Sequence, residues 1–152
     1  MKDIIVYKEE YCISTDRAKL DVVAIHNFLS TQSYWCPNIP FDRVKKSIEN
    51  SLNFGLYYKD QQIGFARIVS DFSTVAYLAD VYVLPEHRGK GLSKWMMNIV
   101  MSHPELQGFR RWMLLTADAH GLYKQFGWKE VSNPYRYMEI HNKDIYKMDV
   151  KD

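Results

Sequence analysis

Asp80-Val81-Tyr82-Val83-Leu84-Pro85-Glu86-His87-Arg88-Gly89-Lys90-Gly91-Leu92-Ser93 passes from an apolar strand, through a glycine turn, into an amphipathic helix. The strand begins at Val75 and Pro85 stops it. The helix runs from about Gly91 to His103, with Leu92, Trp95, Met96, Ile99 and Val100 on one face, and Pro104 prevents its continuation. Gly89 and Gly91 remove Cβ atoms where a backbone must approach a ligand closely. The free N–H groups of a helix start and the positive end of its dipole hold an anion, and Arg88, Lys90 and Lys94 add charge there. Two phosphate loops are excluded by spacing. A Walker A loop needs Gly-Lys-Ser/Thr, but Lys90 precedes Gly91; the dinucleotide fingerprint needs glycine where Lys94 stands. An ordinary glycine turn with surface charge stays open on this stretch alone.

Toward the N-terminus, residues 70–74 read as a turn around Asp71, preceded by a β-hairpin of 54–58 and 63–69. Before it, Phe41, Val44, Ile48 and Leu52 recur at helical spacing behind Pro40. The loop 31–40 carries Tyr34-Trp35-Cys36-Pro37. An earlier helix carries Leu20, Val23, Ala24 and Phe28, with Ser14, Thr15 and Asp16 as N-cap candidates. Ile4, Val6 and Tyr11 alternate as in a first strand. Toward the C-terminus, residues 111–116 form a strand, and 118–126 a short helix with Asp118 as N-cap and Gly127 as left-handed C-terminal cap. Val131 and the run 135–140 supply a last strand or two, and 141–152 is a polar tail. The order β-α-α-β-β-β-α-β-α-β predicts a single α/β (α+β) domain over residues 1–152. It is a three-layer sandwich with a mostly antiparallel mixed sheet of about six to seven strands and about four helices.

Composition narrows the class. With 47% hydrophobic and 25% charged residues in 152, the chain can bury a core without staples. A formal charge of +2 argues against a dedicated nucleic-acid binder. Cys12 and Cys36 are too few for a disulfide framework or a cysteine-rich zinc site, so reduced thiols, a cytoplasmic location and no metal are expected. No secretory signal opens the chain, and no run reaches the ~20 apolar residues that span a bilayer, so no membrane partner is expected. The 14% aromatic content, with eleven tyrosines, fits either a tyrosine-rich core or an aromatic-lined pocket.

In this context the run 80–91 resembles the central motif of the GNAT superfamily of acetyl-CoA-dependent N-acetyltransferases. Arg88, Gly91 and Ser93 match its R/Q-x-x-G-x-G/A signature, with serine where glycine or alanine is usual. Downstream, Ala119-His120-Gly121-Leu122-Tyr123-Lys124-Gln125-Phe126-Gly127-Trp128 is similar to the family's A-x-x-x-Y-x-x-x-G-F/Y block, and Thr116 stands where many members carry asparagine. The runs 118–123 and 33–35 are similar to a bacterial-type subgroup.

The resemblance implies acetyl-CoA as co-substrate. Its phosphates would lie on Arg88, Gly89, Lys90, Gly91, Leu92 and Ser93, its pantetheine arm along Val81, Tyr82 and Val83, and further contacts on Thr116 and Tyr123. Three tasks remain: deprotonating the amine, stabilising the oxyanion and protonating the leaving thiolate. The resemblance gives Tyr123 the last; a phenol of pKa about 10 protonates a thiolate of about 8.5 only modestly uphill. A backbone N–H of the strand carrying Val81 and Val83 would meet the oxyanion. Asp80 is the candidate base, through water, because an isolated acid in an apolar strand needs a role or a partner. Pairing with a neighbouring arginine, or capping a turn, would satisfy it equally.

The acceptor side is expected at Tyr34, Trp35, Asp71 and His120. An aromatic pair can stack on a cationic substrate; His120 has a suitable intrinsic pKa but also suits a helix surface; Asp71 equally suits local turn bonding. Cys36 has no identifiable base, so no covalent nucleophile is expected. A small-molecule amine is the expected acceptor, and a homodimer is compatible with the chain. Protein or peptide N-acetylation and a non-catalytic CoA-binding regulatory module are the alternatives.

Overall fold

Six strands make one sheet in a computed structural model that describes residues 1–147. They are β1 (Ile5–Lys8), β2 (Tyr11–Ser14), β3 (Leu52–Tyr58), β4 (Gln61–Ser70), β5 (Val75–Val83) and β6 (Arg111–Leu114), lying side by side in chain order. Every pairing is antiparallel except β5 with β6, which is parallel. A parallel pair needs a crossover, and helix α3 (Leu92–Met101) supplies it. Two antiparallel-side helices, α1 (Val22–Thr31) and α2 (Phe41–Glu49), lie between β2 and β3, and a short α4 (His120–Lys124) follows β6.

The sheet is buried on both faces, which makes three layers. On one face Ile25, Phe28, Leu29, Val44 and Ile48 of α1 and α2 pack on Phe65 and Tyr82. On the other, Met96, Met97 and Val100 of α3 pack on Phe54, Leu56, Ile68, Leu78 and Val83. Burying a side chain of this size contributes about 1.5–3 kcal/mol each. Among the described residues no helix is long and apolar enough to cross a membrane.

The expected three-layer mixed sheet is present, with local corrections. The first strand is a hairpin: Glu9, at φ 55°, turns the chain between β1 and β2 without a glycine or asparagine to announce it. The first helix starts later than expected. Asp16 caps only a 3-10 turn, Arg17–Lys19, by accepting from Ala18 N at 3.0 Å. Asp21 caps α1 by accepting from Ala24 N at 3.0 Å, so Ile25, Phe28 and Leu29 are buried and Val23 is exposed. Leu52 opens β3 rather than extending α2.

Near the C-terminus, β6 stops at Leu114, and Asp118 is not the cap of α4. The Thr116 hydroxyl accepts from Ala119 N at 3.0 Å and closes that turn instead. No strand forms at Val131 or over 135–140. Pro134 opens a 3-10 turn, Pro134–Arg136, and Met138 and Ile140 beyond it are fully exposed, 97% and 104%. Of the polar tail, residues 148–152 lie outside the described residues.

Candidate active site

A single extra residue in β5 organises the site. Between the pairs Phe65–Tyr82 and Arg67–Ala79, β4 advances two residues while β5 advances three. Leu78 and Val83, five apart, therefore face the same core, which strict alternation forbids. Asp80 lies within this bulge at φ 55°, a left-handed backbone that aspartate tolerates better than most residues. The bulge brings its carboxylate toward the face covered by α1 and α2. There Oδ2 accepts from Arg67 Nε at 2.8 Å and Oδ1 accepts from Trp35 Nε1 at 3.0 Å. Arg67 also donates from a terminal nitrogen to Ser51 Oγ at 3.1 Å. Both members of the ion pair are largely covered, with side chains 17% and 11% exposed.

Beyond the bulge, β5 runs free on one side. Its pairing with β6 ends at Leu78–Leu114, yet β5 continues to Val83. The backbone of residues 79–83 thus offers an open strand edge on the β6 side. Val83 and the ring of Tyr82 are buried and hold this edge still; the Tyr82 ring stacks on Phe28 with centroids 3.8 Å apart.

The edge leads directly into the glycine loop. Pro85–His87 forms a 3-10 turn, then Gly89 and Gly91 take φ of 78° and 74°. A Cβ at either position would meet nothing within 4 Å, so the glycines serve the backbone turn and leave open space beside it. Gly91 is the N-cap of α3 and brings no side chain to cap it, so the first-turn N–H groups, Ser93 and Lys94 included, stay available to an anion. Leu92, 5% exposed, anchors the helix start in the core. Arg88 Nε donates to Val83 O at 2.8 Å and ties the loop to the strand end. Lys90 Nζ reaches Tyr11 Oη at 3.5 Å. A phosphate-bearing group fits this cradle.

Tyr123 on α4 is buried in the same core as Val83 and Leu92, with its ring 6.0 Å from that of Trp128. Burial, helped by Tyr34 and Asp118, pushes its phenol up to about 12, so it stays protonated at any physiological pH. Tyr34 and Trp35 bridge the two sides. Tyr34 Oη accepts from Ala117 N at 2.9 Å, beyond β6, while Trp35 binds Asp80 on β5. Their rings meet edge to face at 5.0 Å. Below them a groove is lined by Trp35, Cys36, Arg43, Ser47, Arg67 and Asp80. Burial raises the Cys36 thiol above its ordinary value, and its sulfur lies 3.4 Å from Ser33 Oγ, the geometry of a packed thiol.

Asp80, Val81, Tyr82 and Val83 thus lie past the last β5–β6 pair, where Trp35 holds Asp80 and Tyr34 holds the turn of Thr116 and Ala117 that leads to Tyr123. One expected acceptor residue, Asp71, stands apart. Asp71 lies in the turn before β5, at the end away from the glycine loop, and its carboxylate is consumed locally. It accepts from Thr74 Oγ1 and from the N–H groups of Ser73, Thr74 and Val75, which hold it well below the usual carboxylate range. His120 is exposed at the start of α4 and makes no side-chain hydrogen bond among the described residues. Arg67 was not singled out by the sequence. The available signal was a lone arginine within the apolar run 63–69, the same oddity that marked Asp80.

Comparison with known proteins places the chain in a family. Residues 22–128 match the model of the acetyltransferase (GNAT) family. The chain is 37% identical to a Gibberella zeae protein, FG08082, provisionally named an acetyltransferase, over 80% of each chain. It is 46% identical to a GNAT-family protein of Xanthomonas campestris pv. campestris of known crystal structure, with a TM-score of 0.89 over 91% of this chain and 97% of that one. The fold is also shared, at 18% identity and a TM-score of 0.67, with a Clostridium acetobutylicum protein whose crystal structure holds acetyl-CoA; the match covers 86% of this chain and 94% of that one. The chain belongs to the GNAT acetyltransferase family and is an acyltransferase.

Proposed function

We propose that this chain transfers an acetyl group from acetyl-CoA to the primary amine of a small molecule, by direct attack in a ternary complex. The observation that carries the reading is the free edge of β5 beyond Leu78, which runs straight into the glycine loop at the start of α3. An amide-bearing arm can add to such an edge as a strand does, with its phosphates at the helix N-terminus. Acetyl-CoA, when bound, would supply an electrophilic thioester carbonyl.

The chain's own residues then divide the work. A backbone N–H on the strand of Val81 and Val83 donates to the carbonyl oxygen as charge develops there. Asp80 takes a proton from the acceptor ammonium through water. A carboxylate has about four acceptor sites, so those used by Arg67 and Trp35 leave others open. Tyr123 gives its hydroxyl proton to the departing sulfur. Tyr34 and Trp35 close over the acceptor, and Thr116 shapes the turn that presents Tyr123.

The test is CoA release with a panel of amines, comparing the wild type with Tyr123→Phe. Turnover that the substitution suppresses supports the reading. Tight acetyl-CoA binding without turnover on any amine, peptide amines included, would point to a CoA-binding module instead, and turnover confined to peptide amines to a protein acetyltransferase. Free Cys12 and Cys36 support a cytoplasmic setting. The outer edge of β6 and the exposed Met138 and Ile140 support self-association as a homodimer, for which light scattering on the purified chain is the check.

A further inference from the structure

The groove beneath Trp35 carries a charge imbalance that bears on the acceptor. From α2 and the residue after it, Arg43, Lys46, Ser47 and Asn50 line it, spaced i, i+3, i+4, i+7. That spacing is one stripe of a helix, beside the apolar stripe of Val44 and Ile48 that faces the core. The acids of the same helix, Asp42 and Glu49, are not among the lining residues. On the sheet side the groove holds Arg67 and Asp80, which neutralise one another at 2.8 Å. The surplus on the wall is therefore the two cations Arg43 and Lys46, neither of them in an ion pair among the described residues.

An amine acceptor arrives as an ammonium, and a wall with surplus positive charge repels it. The repulsion turns to attraction when the acceptor brings an anion of its own. A solvated helix face accounts for exposed cations in general. It does not account for a stripe that shows cations and neutral hydrogen-bonding groups to the groove while placing the helix's carboxylates elsewhere.

Resting on the acetyltransferase reading of this site, we infer that the acceptor carries an anionic group, a carboxylate or a phosphate, together with its amine. The anion lies on Arg43 and Lys46, with Ser47 and Asn50 as neutral partners, and the amine points toward Asp80. Arg43 presents a planar fork suited to either oxyanion, and Lys46 a point charge.

The experiment measures kcat and KM for matched acceptor pairs: amino acids against their methyl esters, and amine phosphate monoesters against the free amino alcohols. The anionic member is expected to have a kcat/KM higher by about tenfold or more, and whichever pair shows the larger ratio identifies the anion. In Arg43→Gln/Lys46→Gln the preference should collapse through a rise in KM for the anionic member. Arg43→Glu/Lys46→Glu should reverse it toward diamines. Raised salt should narrow the wild-type preference, since the wall is exposed. Equal or better turnover of the neutral members, or a preference that survives the double glutamine variant, overturns the inference while leaving the acetyltransferase reading intact. Absence of turnover on every amine, with acetyl-CoA bound, overturns that reading and this inference with it.

Discussion

Trp35 donates its indole N–H to Asp80 Oδ1 at 3.0 Å, joining the loop between α1 and α2 to β5 across 45 residues of chain. The bond depends on the β5 bulge. Regular alternation from Leu78 would send residue 80 toward α3, away from both Trp35 and Arg67. One extra backbone residue thus decides which chemistry the carboxylate meets.

Asp80→Asn isolates the charge, because asparagine accepts the left-handed φ of 55° as readily as aspartate. The Arg67 guanidinium, 17% exposed, would lose its counter-charge. The expected destabilisation is about 2 kcal/mol, below the roughly 3–5 kcal/mol of a fully buried pair because some solvent reaches both groups. With Asp80 as the base, kcat falls by about a hundredfold or more. Urea melts and steady-state kinetics on the same preparation separate the two effects. A stability loss with normal kcat would leave Asp80 as a strut for Trp35 and Arg67.

Tyr123→Phe keeps the buried ring and removes only the hydroxyl. The expected result is a fall in kcat of about a hundredfold with KM for acetyl-CoA little changed. Because the folded phenol is pushed up to about 12, the wild-type rate should not decline on the alkaline side below pH 10 through loss of this acid. A pH–rate profile for kcat from pH 6 to 10.5 checks this. An alkaline limb near pH 8 that vanishes in the variant would contradict it.

Gly91→Ala tests the loop. Its φ of 74° costs a residue with a Cβ roughly 1–2 kcal/mol, and the added methyl touches no protein atom. Acetyl-CoA affinity should fall by about tenfold, measured by titration calorimetry. Gly55→Ala is the contrasting control: its Cβ would run into the ring of Tyr57, so stability should fall with no direct effect on acetyl-CoA binding. Equal acetyl-CoA affinity in Gly91→Ala and wild type would remove the loop from the binding site.

Alkaline unfolding should follow the buried tyrosines. Burial raises Tyr57, Tyr82 and Tyr123 above the ordinary phenol value of about 10. Unfolded phenols ionise first, so this stabilisation is complete below pH 10 and is lost as pH rises through the folded values. Tm measured between pH 8 and 11.5 should be flat and then drop. The Tyr57 hydroxyl is buried without a hydrogen-bond partner among the described residues, so Tyr57→Phe should be neutral or stabilising by up to about 1 kcal/mol and should soften the alkaline drop. A sharper drop in that variant would contradict the assignment.

The elements legible in advance were those announced by strong local signals. Pro85, the glycines and the helical stripe of α3 located the strand–loop–helix unit, and the period change at Phe54 located the β3–β4 hairpin. The misplaced elements lacked such signals. Glu9 turns the chain without a turn residue's usual chemistry, and two aspartates, Asp16 and Asp21, compete for the same helix start. The run 135–140 has strand composition, but a strand exists only when a neighbouring edge accepts it, and composition cannot report the neighbour. At the site, Asp80 was conspicuous as an acid in an apolar strand, while Asp71 looked equally available until the turn claimed all its acceptor capacity.

What the sequence determined by itself is the glycine loop, the start of α3 and the tyrosine of α4: they are local patterns, because close backbone approach and free N–H groups arise within a few residues. Only the tertiary structure decided the surroundings of Asp80. The pairing of Asp80 with Arg67 and Trp35, and the cationic stripe of α2 facing them, depend on a bulge in register between β4 and β5 and on which face of the sheet α2 covers. Register and face are relations between distant segments, set by packing of the whole sheet, and no short stretch of the chain contains them.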